Sequence, residues 1–346
     1  MSRKMKRIVL ASRPDGRPTD ANFRLEELDA PEPQDGEVLV AVEHISLDPY
    51  MRGRMDDAKS YATPVPVDGL MEGGGVGEVV ASKHPDFHPG DKVFGMTGWA
   101  THACLPGDQL RKLDPDQAPL TAALGVLGMP GFTGWYGFTR LGRPNKGETL
   151  AVAAATGPVG SMVGQLAKAY GLRAVGIAGG PEKCALAQEK FGFDACIDHR
   201  AFDDAASLRK AIAAEAPDGI DIYFENVGGK VQEAVLPLMN TFGRIPLCGM
   251  VSAYNQGALG GKAGEGPDKL PLFMRSLLVK RMSVSGFIIA DHYDEYGAFL
   301  KEVGPMVGDG RVTFEEDVAE GLENAPDAFL GMLEGRNRGK QLVKVG

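Results

Sequence analysis

The sequence is poor in cysteine, tryptophan and histidine, and it has no long apolar run. Four cysteines in 346 residues, at 104, 184, 196 and 248, form no CxxC pair and suggest no disulfide framework. Cys104 and Cys248 lie in apolar segments and read as reduced, buried small hydrophobes. No run of 18 apolar residues occurs, so no spanning helix is expected. The start, MSRKMKRIVLAS, is basic but has no apolar core of signal length, which points to a cytoplasmic protein. Positive charge is in deficit: the net charge of −9 argues against nucleic acid or an anionic membrane as partner. Metal-ligating patterns are missing too. There is no HExxH, and His84 and His88, four apart, are flanked by Pro85 and Pro89 and so share no helix face.

What is present is the composition of a soluble globular protein, 43% hydrophobic and 24% charged. A chain of 346 residues is longer than one core usually supports, so two domains are expected. Residues 149–183 carry the clearest signal. Thr149–Ala155 is a short apolar strand, followed by Thr156-Gly157-Pro158-Val159-Gly160. Apolar residues then recur at 159, 162, 163, 166, 167 and 170, the stripe of an amphipathic helix, and Arg173–Ala178 is a second strand. Ala154-x-x-Gly157-x-x-Gly160 is thus a variant of the dinucleotide fingerprint. Gly157 lets backbone approach a pyrophosphate, Gly160 lets helix pack on strand, and the first-turn N–H groups face the anion. Pro158 suits the helix start, where an N–H goes unused.

The second strand ends Ala178-Gly179-Gly180, without the carboxylate that holds a ribose 2′-hydroxyl in NAD-binding units. Small residues leave room for a 2′-phosphate, and Lys183, His199 and Arg200 stand nearby to meet it. NADP is therefore expected over NAD. The plain alternative is a solvated lysine at a helix start and two surface residues after a strand.

Residues 1–120 are strand-rich: Lys6–Ser12, Phe23–Asp29, Glu37–Leu47, Gly75–Ser82, Lys92–Gly95 and Trp99–Leu105, separated by Pro, Gly and Asp clusters. Many short strands suggest a β-barrel-type domain. The stretch 51–68 reads as a loop over a cleft. From 121 to 310 strands and helices alternate, with strands at 195–198, Ile220–Glu225, Arg244–Gly249 and Ser283–Ile289 and a Gly-rich loop at 255–268. That alternation predicts a doubly wound parallel sheet. A helix at 322–334 and a strand at 341–345 follow, the strand placed to rejoin the first domain. The expected division is 1–122 with 311–346, and 123–310.

Several segments together resemble the zinc-independent medium-chain dehydrogenase/reductases, in the group of prostaglandin reductases, plant double-bond reductases and bacterial curcumin reductases. They are Leu47–Arg52, Gly128–Thr133, Ala154–Gly160, Glu225–Gly229, Cys248–Tyr254 and Gly339-Lys340. The resemblance covers nearly the whole chain. It implies an α/β protein with a Rossmann sheet and a GroES-like β-barrel-type domain, NADP(H) as cofactor and a homodimer joined at sheet edges; residues 283–290, an apolar strand late in the sheet domain, are the expected edge. Where zinc-bearing relatives carry ligands, this sequence has Met71, in Leu70-Met71-Glu72, and Ile45-Ser46-Leu47. No metal is expected.

The resemblance also implies site residues. Thr156, Gly157, Pro158, Val159 and Gly160 would meet the pyrophosphate, and Lys183 and His199 the adenosine phosphate. Asn226, Cys248, Gly249, Met250, Val251, Ser252, Ala253 and Tyr254 would line the middle of the cofactor. Phe287, Ile288 and Ile289 would lie along the nicotinamide, and Asn337 would reach back from the C-terminal segment. Thr156 and Pro158 stand where relatives often have alanine, and His199 where many have tyrosine.

Without a metal Lewis acid, conjugate reduction of an α,β-unsaturated carbonyl is the easier chemistry. Hydride goes to the β-carbon, and the enolate oxygen needs one or two donors. Tyr254 and Tyr50 are the candidates, since a phenol is neutral at pH 7 and can donate. Each has a plain alternative, a loop cap for Tyr254 and a pocket wall for Tyr50. An apolar pocket rimmed by 51–68, Trp99, 255–275, Met129 and Phe132 would suit enals and enones. The rival readings are an NADPH:quinone oxidoreductase and a non-catalytic NADPH-binding protein.

Overall fold

The structure, a computed structural model, describes residues 3–256 and 269–345. It forms two compact units: Met1–Gly128 with Tyr254–Lys262 and Glu316–Gly346, and Met129–Ala253 with Ala263–Glu315.

The first unit opens with a hairpin-like pair, β1 (Lys4–Leu10) and β2 (Phe23–Asp29), antiparallel along their whole length. Next come β3 (Glu37–Ser46), the short helix α1 (Tyr50–Arg54), β4 (Gly75–Ser82), β5 (Lys92–Gly95), β6 (His102–Pro106) and β7 (Arg111–Lys112). The stretch read as a cleft loop therefore begins as a helix. It is pinned from within: Met51, Met55 and Val65 are buried, and Val65 N donates to the Arg54 carbonyl at 2.9 Å. Trp99, expected at a pocket rim, is fully buried between Phe23 (5.6 Å, stacked) and Phe329 (5.5 Å, edge-on). Its indole area belongs to the core because β1 and β2 cover it from one side and the C-terminal helix from another.

The second unit begins with α2 (Met129–Tyr136). Its core sheet is built from β8 (Thr149–Ala153), β9 (Arg173–Ala178), β10 (Ala195–Asp198), β11 (Ile220–Phe224), β12 (Met239–Leu247) and β13 (Ser283–Gly286). All neighbours are parallel and the order is β10-β9-β8-β11-β12-β13. Counted from β8, that is the 3-2-1-4-5-6 order of a doubly wound nucleotide fold, with its switch point between β8 and β11. β8 is buried along its whole length, as a central parallel strand covered on both faces must be. The crossovers are α3 (Pro158–Ala169), α4 (Pro181–Glu189), α5 (Ala205–Glu215), α6 (Gly229–Val235) and α7 (Leu270–Lys280). The stripe Met162, Val163, Leu166 and Ala167 of α3 is buried. Phe132, also expected at a rim, is buried in an aromatic cluster with Trp135, Tyr296 and Phe299. α8 (Tyr296–Gly308) closes this unit.

The chain then returns to the first unit through β14 (Glu316–Glu320), α9 (Ala325–Leu333) and β15 (Lys340–Lys344). β15 pairs antiparallel with β3, giving the order β14-β15-β3-β4-β5-β7, with β6 also on β3. Among the described residues no helix is long and apolar enough to cross a membrane. All four cysteines are free; Cys184 is buried, and Cys104 and Cys248, expected to be buried, keep a minor exposed fraction. The Cys104 thiol reaches the Glu37 carboxylate at 3.3 Å, which keeps it at the edge of its strand pair. The Gly-rich loop expected at 255–268 lies mostly outside the described residues.

Candidate functional site

The turn after β8 is tighter than the sequence suggested. β8 stops at Ala153, two residues early, because Ala154 adopts a left-handed backbone (φ +53°). A non-glycine residue there is strained, and such strain gathers at functional turns. Gly157 caps α3 and Pro158 fills its first position. A Cβ on Gly160 would stand 2.3 Å from the Ala154 carbonyl oxygen, so only glycine lets the helix start so close to the turn. A Cβ on Gly157 would meet that same oxygen only at 3.4 Å and would otherwise point into open space. The residue types required differ accordingly: a close helix approach at 160, a clear approach for a ligand at 157.

Beyond β9, Gly180 N donates to the Asp198 carboxylate at 2.8 Å, and Arg200 N donates to it at 2.9 Å. The carboxylate nearest the end of β9 is thus turned to backbone donors. A cavity of about 450 Å³ opens here, lined among others by His199, Arg200, Phe202, Gly228, Lys230 and Ser252. Lys183 lies in the first turn of α4. Burial holds the His199 imidazole below its ordinary pKa, and the Lys230, Arg200 and Lys183 cations add to the effect over the opposing Asp198. A neutral histidine thus stands among three cations. Lys230 was missed in the sequence. Its ammonium donates to the His199 carbonyl at 2.9 Å and to the Phe202 carbonyl, clipping that turn to α6. The available signal was a cation just inside a Gly-Gly helix start, against the helix dipole.

At the switch point two loops are stitched together. Glu225 is fully buried, and its Oε1 accepts from Val227 N (2.7 Å) and Gly228 N (2.9 Å). Burial raises its pKa, opposed by those two N–H donors. Its carbonyl accepts from Cys248 N (2.9 Å) and Gly249 N (3.2 Å), while Val251 N reaches the Asn226 carbonyl at 3.2 Å. Ser252 donates to the Val227 carbonyl through both its N (3.0 Å) and its hydroxyl (2.6 Å). Asn226 Nδ2 donates to the Ala153 carbonyl at 2.9 Å. The turn 154–160, Asn226 and the segment Cys248–Ala253, Met250 included, are therefore brought to one edge of the sheet. The Cys248 thiol is pushed up to about 12 by burial and by Glu225, which makes it a wall and not a nucleophile. Phe287 and Ile288 follow the end of β13, and Ile289 opens a 3-10 turn, so the strand is three residues shorter than expected. The Phe287 ring packs 5.8 Å from Tyr136, which takes the chain off the ladder.

Tyr50, Tyr254 and Asn337 lie in the first unit. Tyr50 opens α1, and the Arg54 guanidinium stands 5.5 Å over its ring. Burial raises the phenol pKa, helped by the Asp48 and Glu72 carboxylates, so Tyr50 stays protonated and able to donate. The start of α1 is fixed by Asp48, which accepts from Ser46 Oγ and from Lys340 Nζ (2.7 Å); Lys340 also donates to the Leu47 carbonyl at 2.7 Å. Asn337 Nδ2 donates to the Gly339 carbonyl at 2.7 Å, shaping the approach to Lys340. Tyr254 sits in the 3-10 turn Val251–Gln256, half-buried. Its neighbour Asn255 accepts from Arg52 Nε at 3.2 Å.

Residues 6–113 match a family described as the N-terminal domain of oxidoreductase, and residues 158–303 one described as zinc-binding dehydrogenase. The donor set does not fit zinc: among the described residues no three His, Cys, Asp or Glu side chains are placed to hold a metal ion, and Met71 is buried in the core. An NADPH-dependent curcumin reductase of Escherichia coli is 52% identical over 98% of this chain and 96% of its own. An NADP(+)-dependent 2-alkenal reductase of Nicotiana tabacum is 41% identical over 98% and 97%. The crystal structure of CurA from Vibrio vulnificus in complex with NADPH superposes with a TM-score of 0.93 at 50% identity, covering 99% of both chains. With this likeness over almost its whole length, the chain belongs to the zinc-independent medium-chain dehydrogenase/reductases and is an NADP-dependent oxidoreductase.

Proposed function

We propose that the protein reduces the carbon–carbon double bond of α,β-unsaturated aldehydes and ketones. NADPH supplies the hydride. Thr156, Gly157, Pro158, Val159 and Gly160 hold its pyrophosphate, and Lys183 and His199 its 2′-phosphate. Asn226 and Cys248–Tyr254 hold the middle, Phe287–Ile289 flank the nicotinamide, and Asn337 supports the site from the C-terminal segment. Tyr254 and Tyr50 donate hydrogen bonds to the substrate carbonyl oxygen, where negative charge grows as the β-carbon is reduced. The observation that carries this reading is the placement of the Tyr50 phenol, a hydrogen-bond donor, at the first position of a helix anchored by the buried Lys340–Asp48 ion pair. The likeness to an NADPH-dependent curcumin reductase and an NADP(+)-dependent 2-alkenal reductase supports the same chemistry.

The test is NADPH oxidation against an alkenal, an aryl enone, a benzoquinone and simple alcohols or ketones, with product identification. The saturated carbonyl compound is the expected product. Allylic alcohol as product, or turnover of the quinone alone, would overturn the reading. Tyr254→Phe should lower kcat on the order of a hundredfold, the usual effect of removing one oxyanion donor, with NADPH binding kept. We further infer a homodimer through the β13 edge of the parallel sheet.

A further inference from the structure

We infer that Arg52 is a positioning residue for Tyr254, acting through Asn255; this rests on the assignment of Tyr254 as a donor to the substrate oxygen. Arg52 is fully buried, a costly place for a guanidinium. Its fork serves three separate stretches of chain. Nη1 pairs with Asp56 Oδ1 at 2.7 Å, one helical turn away. Nη2 donates to the Gly16 carbonyl at 2.7 Å, and Nε to Asn255 Oδ1 at 3.2 Å. The Asp56 pair neutralises the charge, so the other two bonds are left to fix geometry. The planar guanidinium spreads its donors over three nitrogens in fixed directions, which the single nitrogen of an ammonium does not reproduce.

The placement ties the inference to the chemistry. Arg52 stands two residues after Tyr50 on α1, and Asn255 directly follows Tyr254. The helix that carries one candidate donor is thus bonded to the turn that carries the other. α1 is itself immobilised at Asp48 by Lys340 and Ser46, and below by Met51 and Met55 in the core. Asn255 is therefore held against a fixed base. Loss of the Arg52–Asn255 bond removes the anchor at the Tyr254–Asn255 end of the turn but leaves the base intact. A donor misplaced by about 1 Å costs about a hundredfold in rate.

The experiment is a double-mutant cycle with NADPH and an alkenal. Asn255→Ala keeps the Arg52 bonds to Asp56 and Gly16 but leaves the buried Nε without its acceptor, so the protein should still fold, with a modestly lower melting temperature. It should lower kcat about ten- to hundredfold with KM for NADPH little changed. In the Tyr254→Phe background it should have no further effect on kcat. Arg52→Lys, which keeps charge but loses the fork, should lose as much as Asn255→Ala. Equal factors for Asn255→Ala in both backgrounds, or full activity in Arg52→Lys, would overturn the inference. Failure of the underlying assignment has a different signature: Tyr254→Phe alone would leave kcat unchanged.

Discussion

His199 is held neutral in the free protein by burial and by the surrounding Lys230, Arg200 and Lys183 cations. If the 2′-phosphate of NADPH binds there, its negative charge raises the histidine pKa, and binding takes up a proton. The sign follows: a proton bound in the complex and absent from the free enzyme makes affinity rise as pH falls. The window begins near the ordinary histidine value of 6.5 and runs down towards the depressed one. Each unit of pKa restored by the phosphate is about a tenfold gain in affinity at the acid end. In His199→Gln this dependence should flatten, leaving only the titration of the phosphate itself, and NADH, without the phosphate, should show no such rise. The measurement is Kd by nucleotide fluorescence from pH 5.5 to 8. A parallel acid dependence in the variant would remove His199 from the phosphate site. The free protein has the opposite trend. Its depressed histidine loses stability as pH falls below 6.5, because the unfolded chain takes up the proton first.

At the scale of the element, the β8–turn–α3 unit was legible because its parts obey period and punctuation: apolar strand, glycine, proline, stripe. Two of its glycines should fail in different ways. Gly160→Ala places a Cβ 2.3 Å from the Ala154 carbonyl oxygen, both backbone-bound, and should cost about 1–3 kcal/mol of stability, read as a lower denaturation midpoint. Gly157→Ala finds ordinary contact at 3.4 Å and should fold normally while KM for NADPH rises. Equal melting losses in the two variants would refute the distinction. The left-handed Ala154 was not legible, since alanine gives no signal for that conformation. Nor was the early end of β13, decided by Phe287 packing on Tyr136. Trp99 and Phe132 look alike as rim or core residues in sequence; only the covering strands and helices make them core. Lys230 and Arg52 were invisible as site-shaping residues because their partners are backbone carbonyls and an amide far along the chain.

For the whole molecule, the alternation of strands and helices from 121 to 310 and the return of a C-terminal strand to the first domain are legible in the sequence. Assembly is expected there only from the resemblance, and its edge at 283–290 only from that strand's late place in the sheet domain, because an edge strand otherwise looks like any other in sequence. In the fold, β13 ends the sheet order and pairs only with β12 among the described strands. An open edge with Val284 exposed is a liability that a second copy would remove. α7, the crossover helix before it, has Leu272 at 64% and Leu278 at 78% exposure, while Leu277 of the same helix packs on the core. Two copies meeting along β13 about a two-fold axis would join their sheets and cover those leucines, each worth about 1.5–3 kcal/mol when fully buried. Leu278→Glu leaves the core untouched, so the variant should melt as a folded protein yet sediment as a monomer at micromolar concentration where the parent is a dimer. Sedimentation equilibrium decides it. A parent chain that is monomeric, or a dimer indifferent to Glu at 278, would place the interface elsewhere or remove it.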